Sequence, residues 1–414
     1  MRIAIVGSGI SGLVAAHLLH GDHEITVFEA GEHIGGHTNT IPVEWEGETH
    51  AIDTGFIVHN ERTYPNFTEL LRRLGVETQP SEMSFSVRCE ETGLEYAGTS
   101  LNTLFAQRRN LLRPSFHRMI RDILRFYRES RELLHAESNG LTLGQYLERG
   151  RYSRTFIDQH LIPMGSAVWS AGVGSMLDFP AQMFVRFFEN HGFLDLRNRP
   201  QWRVIRGGSW RYVEKMVMPF RDRVRLRCPV RSVVRRPDGI EITSGGQGIE
   251  RFDEVILACH SDQALALLAD ATPQEREILG AMPYEENEAI LHTDTSLMPR
   301  SRRAWAAWNS HRLREDPGRV AITYNMNILQ GLSTPTQFMV TLNRREAIDP
   351  AKIIRVITYH HPVYTVETLR AQGRHGEISG VNRTHLCGAN WGNGFHEDGV
   401  NSALRVCEAL GARL

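Results

Sequence analysis

The stretch that decides the fold is Arg2-Ile3-Ala4-Ile5-Val6-Gly7-Ser8-Gly9-Ile10-Ser11-Gly12, followed by Leu13-Val14-Ala15-Ala16-His17-Leu18-Leu19 and then Glu24-Ile25-Thr26-Val27-Phe28-Glu29-Ala30. A β-branched run breaks into glycines at G-x-G-x-x-G spacing, an apolar helical run follows, and a second strand ends in an acid. This order predicts a strand, tight turn, helix and strand that bind a dinucleotide. Gly7 permits the bend, Gly9 lets a pyrophosphate approach the backbone, and Gly12 lets helix and strand pack closely. The diphosphate is expected on the free N–H groups around Ser8, Ile10 and Ser11, at the positive end of the helix. Glu29, with Ala30 beside it, falls at the offset of a carboxylate that accepts from a ribose 2′-hydroxyl and selects against a 2′-phosphate. Alone, these residues allow NAD or FAD.

At 414 residues the chain exceeds one small core, so two domains are expected. A net charge of −1 gives no global excess that would argue for nucleic acid. Met1 runs straight into the first strand, and no apolar run approaches the roughly 18 residues that span a bilayer. The expected location is cytoplasmic. The five cysteines are scattered and never in C-x-x-C spacing, which reads as reduced thiols. Only Lys215 and Lys352 are lysines.

Residues 38–52 and 83–97 read as hairpins, and a helix is expected from about Tyr64 to Leu74. From about 100 to 195 the period becomes helical, most clearly at Phe116, Met119, Ile120, Ile123, Leu124 and Tyr127. Arg118, Arg121, Arg125 and Arg128 form a stripe beside that face, extended by Arg108, Arg109, Arg113 and Arg131. Such a stripe is either a solvated surface or a face that rests on anionic lipid headgroups, so residues 108–131 are a candidate for peripheral membrane contact. Phe252–Ala258 reads as a buried strand rejoining the first sheet. Alternating segments within 285–345 suggest a separate, mostly antiparallel sheet, and a final helix is expected to open at Gly399-Val400-Asn401-Ser402-Ala403. With no repeats and no low-complexity linker, the domains are expected to interleave.

Four separated segments resemble the flavoprotein superfamily of amine oxidases, protoporphyrinogen oxidases and phytoene desaturases. Gly35-Gly36 matches that group's second glycine pair. Val230 matches the strand residue whose backbone reads adenine, and Asp53-Thr54-Gly55-Phe56 is similar to the segment passing the isoalloxazine. Gly388 with Gly399, Val400 and Ser402 resembles the C-terminal flavin motif. More narrowly, Asp53–Asn60, Thr63–Asn66, Met83–Ser86 and Tyr359–Val363 resemble a bacterial NAD/FAD-binding, amine-oxidase-like branch, some of whose members are linked to desaturation of modified fatty acyl chains. The resemblance implies FAD, held by the residues named so far together with His37, Gly55, Phe56, Ala389 and Asn390. It also implies an α/β fold: a Rossmann-like FAD-binding domain (1–80, 200–270, 380–414) interleaved with an α+β substrate domain (81–199, 271–379). Three positions depart from the pattern. His37 stands where the family has arginine, Ala389 stands where it has an acid, and neither lysine matches the one that many amine oxidases place near the flavin.

The expected function is FAD-dependent removal of hydride from a carbon of an apolar substrate, with a lipid acyl or isoprenoid desaturase as the specific form. Flavin amine oxidation and non-catalytic flavin binding are the alternatives. Candidate pocket residues are Tyr359, His360, His361 and Trp391. The two histidines serve either as proton acceptors near neutral pH or as strand-end residues bonded to backbone, and Trp391 is either a pocket wall or a core aromatic. Adjacent histidines on a strand face opposite sides, there is no H-E-x-x-H, and no metal site is expected.

Overall fold

Strand β1 (Arg2–Val6) lies at the centre of a five-stranded parallel sheet, flanked by β2 (Glu24–Phe28) and by the strand Glu254–Leu257. Val224–Arg225 and Thr384–Leu386 form the edges, so the sheet draws on three distant parts of the chain. The computed structural model describes residues 1–135, 140–169, 172–245, 248–314 and 320–414. β1 is apolar on both faces because both are covered, by helices on one side and by the three-stranded sheet of residues 230–252 with the helix Ser261–Leu267 on the other. Ile3 and Ile5 face helix α1 (Ile10–Leu19) and the final helix (His396–Ala409) in one core. Ala4 and Val6 join Val255 and Leu257 in the core on the other side. Each fully buried Leu, Ile or Phe here contributes about 1.5–3 kcal/mol.

A seven-stranded sheet forms the second layer, in the order 353–362, 284–292, 339–342, 320–325, 308–312, 85–89, 94–97. It is antiparallel except between 308–312 and 85–89. It therefore extends beyond the expected 285–345 to take in the 83–97 hairpin and the strand carrying Tyr359–His361. Helices between 101 and 190 pack their aromatic faces into a separate core around Phe126, Phe156 and Phe184. No helix among the described residues is long and apolar enough to cross a membrane.

The final helix begins at His396, three residues before the expected Gly399. Phe395 is an unusual N-cap with no oxygen to offer the first turn, and the Asp398 carboxylate accepts its backbone N–H at 3.0 Å, the reciprocal half of a capping box. Gly399 is a packing residue: a Cβ there would sit 2.7 Å from Ile10 Cγ2.

Candidate active site

The three glycines of the first turn are separated by what surrounds them. Gly7 adopts φ +105, a conformation L side chains avoid, and a Cβ on it would approach the Ala258 carbonyl oxygen to 2.7 Å. A Cβ on Gly12 would collide with the Gly7 carbonyl, whereas one on Gly9 would meet no protein atom within 4 Å. Gly9 instead borders a cavity of about 690 Å³, within the size range of ligand sites. Glu29 is held at the cavity edge: its carboxylate accepts from Ser8 N (3.0 Å), Ser8 Oγ (2.6 Å) and Gly31 N (2.7 Å).

The second glycine pair lies against the first turn, with Gly35 N donating to the Ser8 carbonyl at 3.0 Å. A Cβ on Gly36 would come within 3.0 Å of Gly9 Cα, so two glycines face each other across the mouth. His37 follows, half-buried. Its ring stacks on Tyr359 and lies 5.4 Å from that of His361 and 6.4 Å from that of His260. Burial, followed by the neighbouring histidines, holds its pKa well below the usual value, against a hydrogen bond that its ring donates to the His360 backbone carbonyl. Its Nε2 and His361 Nδ1 are buried without a protein partner.

Tyr359 OH bonds Thr54 Oγ1 at 2.9 Å, which ties the 353–362 strand to the segment Thr54-Gly55-Phe56. His361 is half-buried, and desolvation pushes its pKa to about 4, so it is neutral at pH 7 and a weak base. His360, one residue along, turns its half-exposed ring toward Glu286, 3.8 Å away, as strand alternation requires. Of the two, His361 thus corrects the expectation of an acceptor near neutral pH.

At the far end, Gly388 N donates to Ser402 Oγ at 3.1 Å, so Ser402 positions the Gly388-Ala389-Asn390 turn from beneath. His396, on the first turn of the final helix, stacks on Phe56 with centroids 3.5 Å apart and bonds Thr38 Oγ1 and Tyr212 OH. Beyond it the wall turns aromatic: Tyr64, Trp169, Phe187, Trp202, Trp308 and Tyr324 line the same cavity. None of the described lining residues is Lys, Arg or Asp, and Glu29 is the one carboxylate among them.

The structure gathers Gly7, Ser8, Gly9, Ile10, Ser11, Glu29, Ala30, Gly35, Gly36, His37, Gly55, Phe56, Val230, Gly388, Ala389 and Asn390 around this cavity, together with Tyr359, His360 and His361. Gly12, Gly399, Val400 and Ser402 lie behind its wall and shape it by packing or hydrogen bonding. Trp391 is not a lining residue. It points into the core beside the first sheet, against His375 at 4.4 Å, because the turn at Gly388 aims it away from the cavity. His260 and Gln263 were missed, yet they follow the carboxyl end of a parallel strand, where ligands of such sheets bind. The aromatic half carries no comparable signal.

The residues fit FAD. An open glycine cradle faces the cavity, the Glu29 carboxylate stands beside it, and unpartnered imidazole nitrogens lie between the glycine pair and the 353–362 strand.

The model of flavin-containing amine oxidoreductases matches residues 10–360. The chain belongs to this family. Among curated relatives, an L-amino-acid oxidase of Siganus canaliculatus is 23% identical over 71% of this chain and 57% of its own length. One from Bothrops atrox is 31% identical over 22% of this chain and 23% of its own. The chain thus spans little more than half the length of the first relative. Among solved structures, a putrescine oxidase bound to putrescine superposes with a TM-score of 0.69 at 15% identity, covering 99% of both chains. A CLA-producing fatty acid isomerase from P. acnes gives 0.70 at 15% identity, covering 99% of this chain and 98% of its own. These likenesses give the fold.

Proposed function

We propose that this flavoprotein removes hydride from a carbon centre of an apolar substrate, an acyl or isoprenoid chain being the class that suits it. The observation carrying this reading is the aromatic half of the cavity, which has no described Lys, Arg or Asp with which to pair a charged substrate. A substrate carboxylate or ammonium taken there would lose its water without a counterion, at a cost on the order of several kcal/mol. The bound flavin supplies hydride acceptance, which leaves the protein to bind, orient and exclude water. Trp308 and Tyr324, edge to face at 5.1 Å, present a rigid wall against which an apolar chain is held. Neutral His37 and His361 keep the middle of the cavity polar but uncharged. Neither lysine reaches the cavity, since Lys215 bonds the Gly75 carbonyl and Lys352 pairs with Asp294.

Amine oxidation is the second reading. It is favoured by family membership and by the aromatic faces themselves, which can attract an ammonium through cation–π contact. Anaerobic bleaching of the holoprotein's flavin decides between them. Unsaturated and saturated fatty acyl substrates are expected to reduce it, and simple mono- and diamines are not. Reduction by amines with none by lipids overturns the first reading.

A further inference from the structure

The arginine stripe divides into two parts with different partners. Arg125 lies over the Tyr152 ring at 4.0 Å and beside Asp122 and Glu129, and Arg131 binds Glu189 and Asp195 at 2.9 and 2.8 Å. That part is neutralised within the fold. Residues 98–121 hold five arginines and no Asp or Glu. Arg108 bonds only Asn102 and the Phe105 carbonyl, and Arg109 bonds the Gly93 carbonyl. Arg118 and Arg121 are exposed, and no described carboxylate pairs with any of these four.

The fold adds a second segment to this surface. The helix Leu101–Leu104 packs against the turn Arg302–Ala304, within residues 295–314, which also lack Asp and Glu. Arg300, Arg302 and Arg303 are exposed there, and Arg302 rests on the Trp305 ring at 5.4 Å, again a neutral partner. Among these cations stand bare leucines: Leu101 is 76% exposed, Leu111 50% and Leu112 88%. Large apolar side chains this bare, clustered among uncompensated cations, are unusual on a chain whose net charge is −1.

We infer that this face, built from residues 101–121 and 300–303, docks on a bilayer surface containing anionic phospholipid. The arginines meet headgroup phosphates, each worth roughly fivefold in partition, and the leucines enter the acyl boundary. A nucleic acid or other polyanion satisfies the charge but offers nothing to the leucines. Behind the patch, Phe105 packs edge to face on Phe116 in the same helical core that carries Trp169 and Phe187 to the cavity wall. The membrane face and the aromatic half of the site are thus two sides of one cluster.

Cosedimentation of the holoprotein with vesicles tests this, using phosphatidylcholine alone or mixed with phosphatidylglycerol. Binding is expected to the mixed vesicles and to weaken with salt. R108E/R109E/R302E is expected to reduce it at least about tenfold, as is L111S/L112S, with flavin absorbance and thermal midpoint unchanged. Absence of binding to the mixed vesicles overturns the inference. So does binding that L111S/L112S leaves intact while heparin competes it away, which would mark a polyanion site.

Discussion

The imidazole of His37 stacks on the ring of Tyr359 with 5.0 Å between centroids, and its buried Nε2 has no protein partner. A ring nitrogen held this way, buried and unpartnered, is organised for a group that is not part of the protein. His37→Ala is expected to raise the FAD dissociation constant about tenfold or more, the scale of a lost hydrogen bond to a charged group. His37→Gln, which keeps a hydrogen-bonding group, should recover part of it. Quenching of flavin fluorescence on titration into apoprotein measures both. An unchanged constant for the alanine variant would show that Nε2 does not face the cofactor.

The surroundings of Gly9 and Gly12 separate binding from folding. Gly12→Ala forces a methyl into the Gly7 carbonyl and is expected to lower the stability of the apoprotein by about 1–3 kcal/mol or more. Gly9→Ala meets only open space and should leave that stability within about 0.5 kcal/mol. Its methyl nevertheless occupies the approach of the diphosphate, so FAD affinity should fall at least about tenfold, a cost typical of overpacking. Thermal melts of the apoprotein and flavin titrations distinguish the pair.

Acid should destabilise the holoprotein. Burial depresses His191, His260 and His361 to about 4, and His160 and His396 to about 3, from 6.5. Each stays neutral in the fold while the unfolded chain binds a proton. Their contribution is therefore complete above pH 6.5 and is lost as pH falls toward 4, each by up to about 1.4 kcal/mol per pH unit. Asp53 and Asp398, raised by burial to about 6, act in the opposite sense: their contribution is complete below 3.8 and lost as pH rises through 6. The histidines outnumber them, so the thermal midpoint should drop between about pH 7 and pH 5. A midpoint that rises over this range counts against the buried neutral cluster.

Two tryptophans make opposite predictions. Trp391→Ala removes a core ring packed on His375, and should cost about 3–5 kcal/mol without changing which substrates reduce the flavin. Trp308→Leu alters the aromatic wall, and should change kcat/KM by about tenfold or more while FAD remains bound. Equal effects of the two on substrate preference would contradict their placement.

What the sequence makes legible is local. β1, α1 and β2 fall where the glycine spacing and β-branched runs put them, because turn chemistry and burial on both faces act within thirty residues. The start of the final helix was misplaced because its cap is Phe395 bonded by Asp398, not a Ser or Thr whose type announces itself. The stacking of His37 on Tyr359 joins residues more than three hundred apart, and no periodicity records it. The aromatic wall is assembled from helices, turns and two sheets, each contributing a ring that in its own segment is indistinguishable from core.

The edge strand Thr384–Leu386 pairs beside Glu254–Leu257, and the Gly388 turn hangs from it. The nucleotide-binding half of the site is therefore encoded long before the segment that closes it. While residues 258–383 emerge from the ribosome, the growing chain presents Glu254–Leu257 as an unpaired strand edge with exposed backbone donors and acceptors. Contacts this distant form slowly. Flavin loading is consequently tied to the last steps of chain assembly, and a stalled or slowly finished polypeptide is exposed at that edge to pairing with another copy of itself.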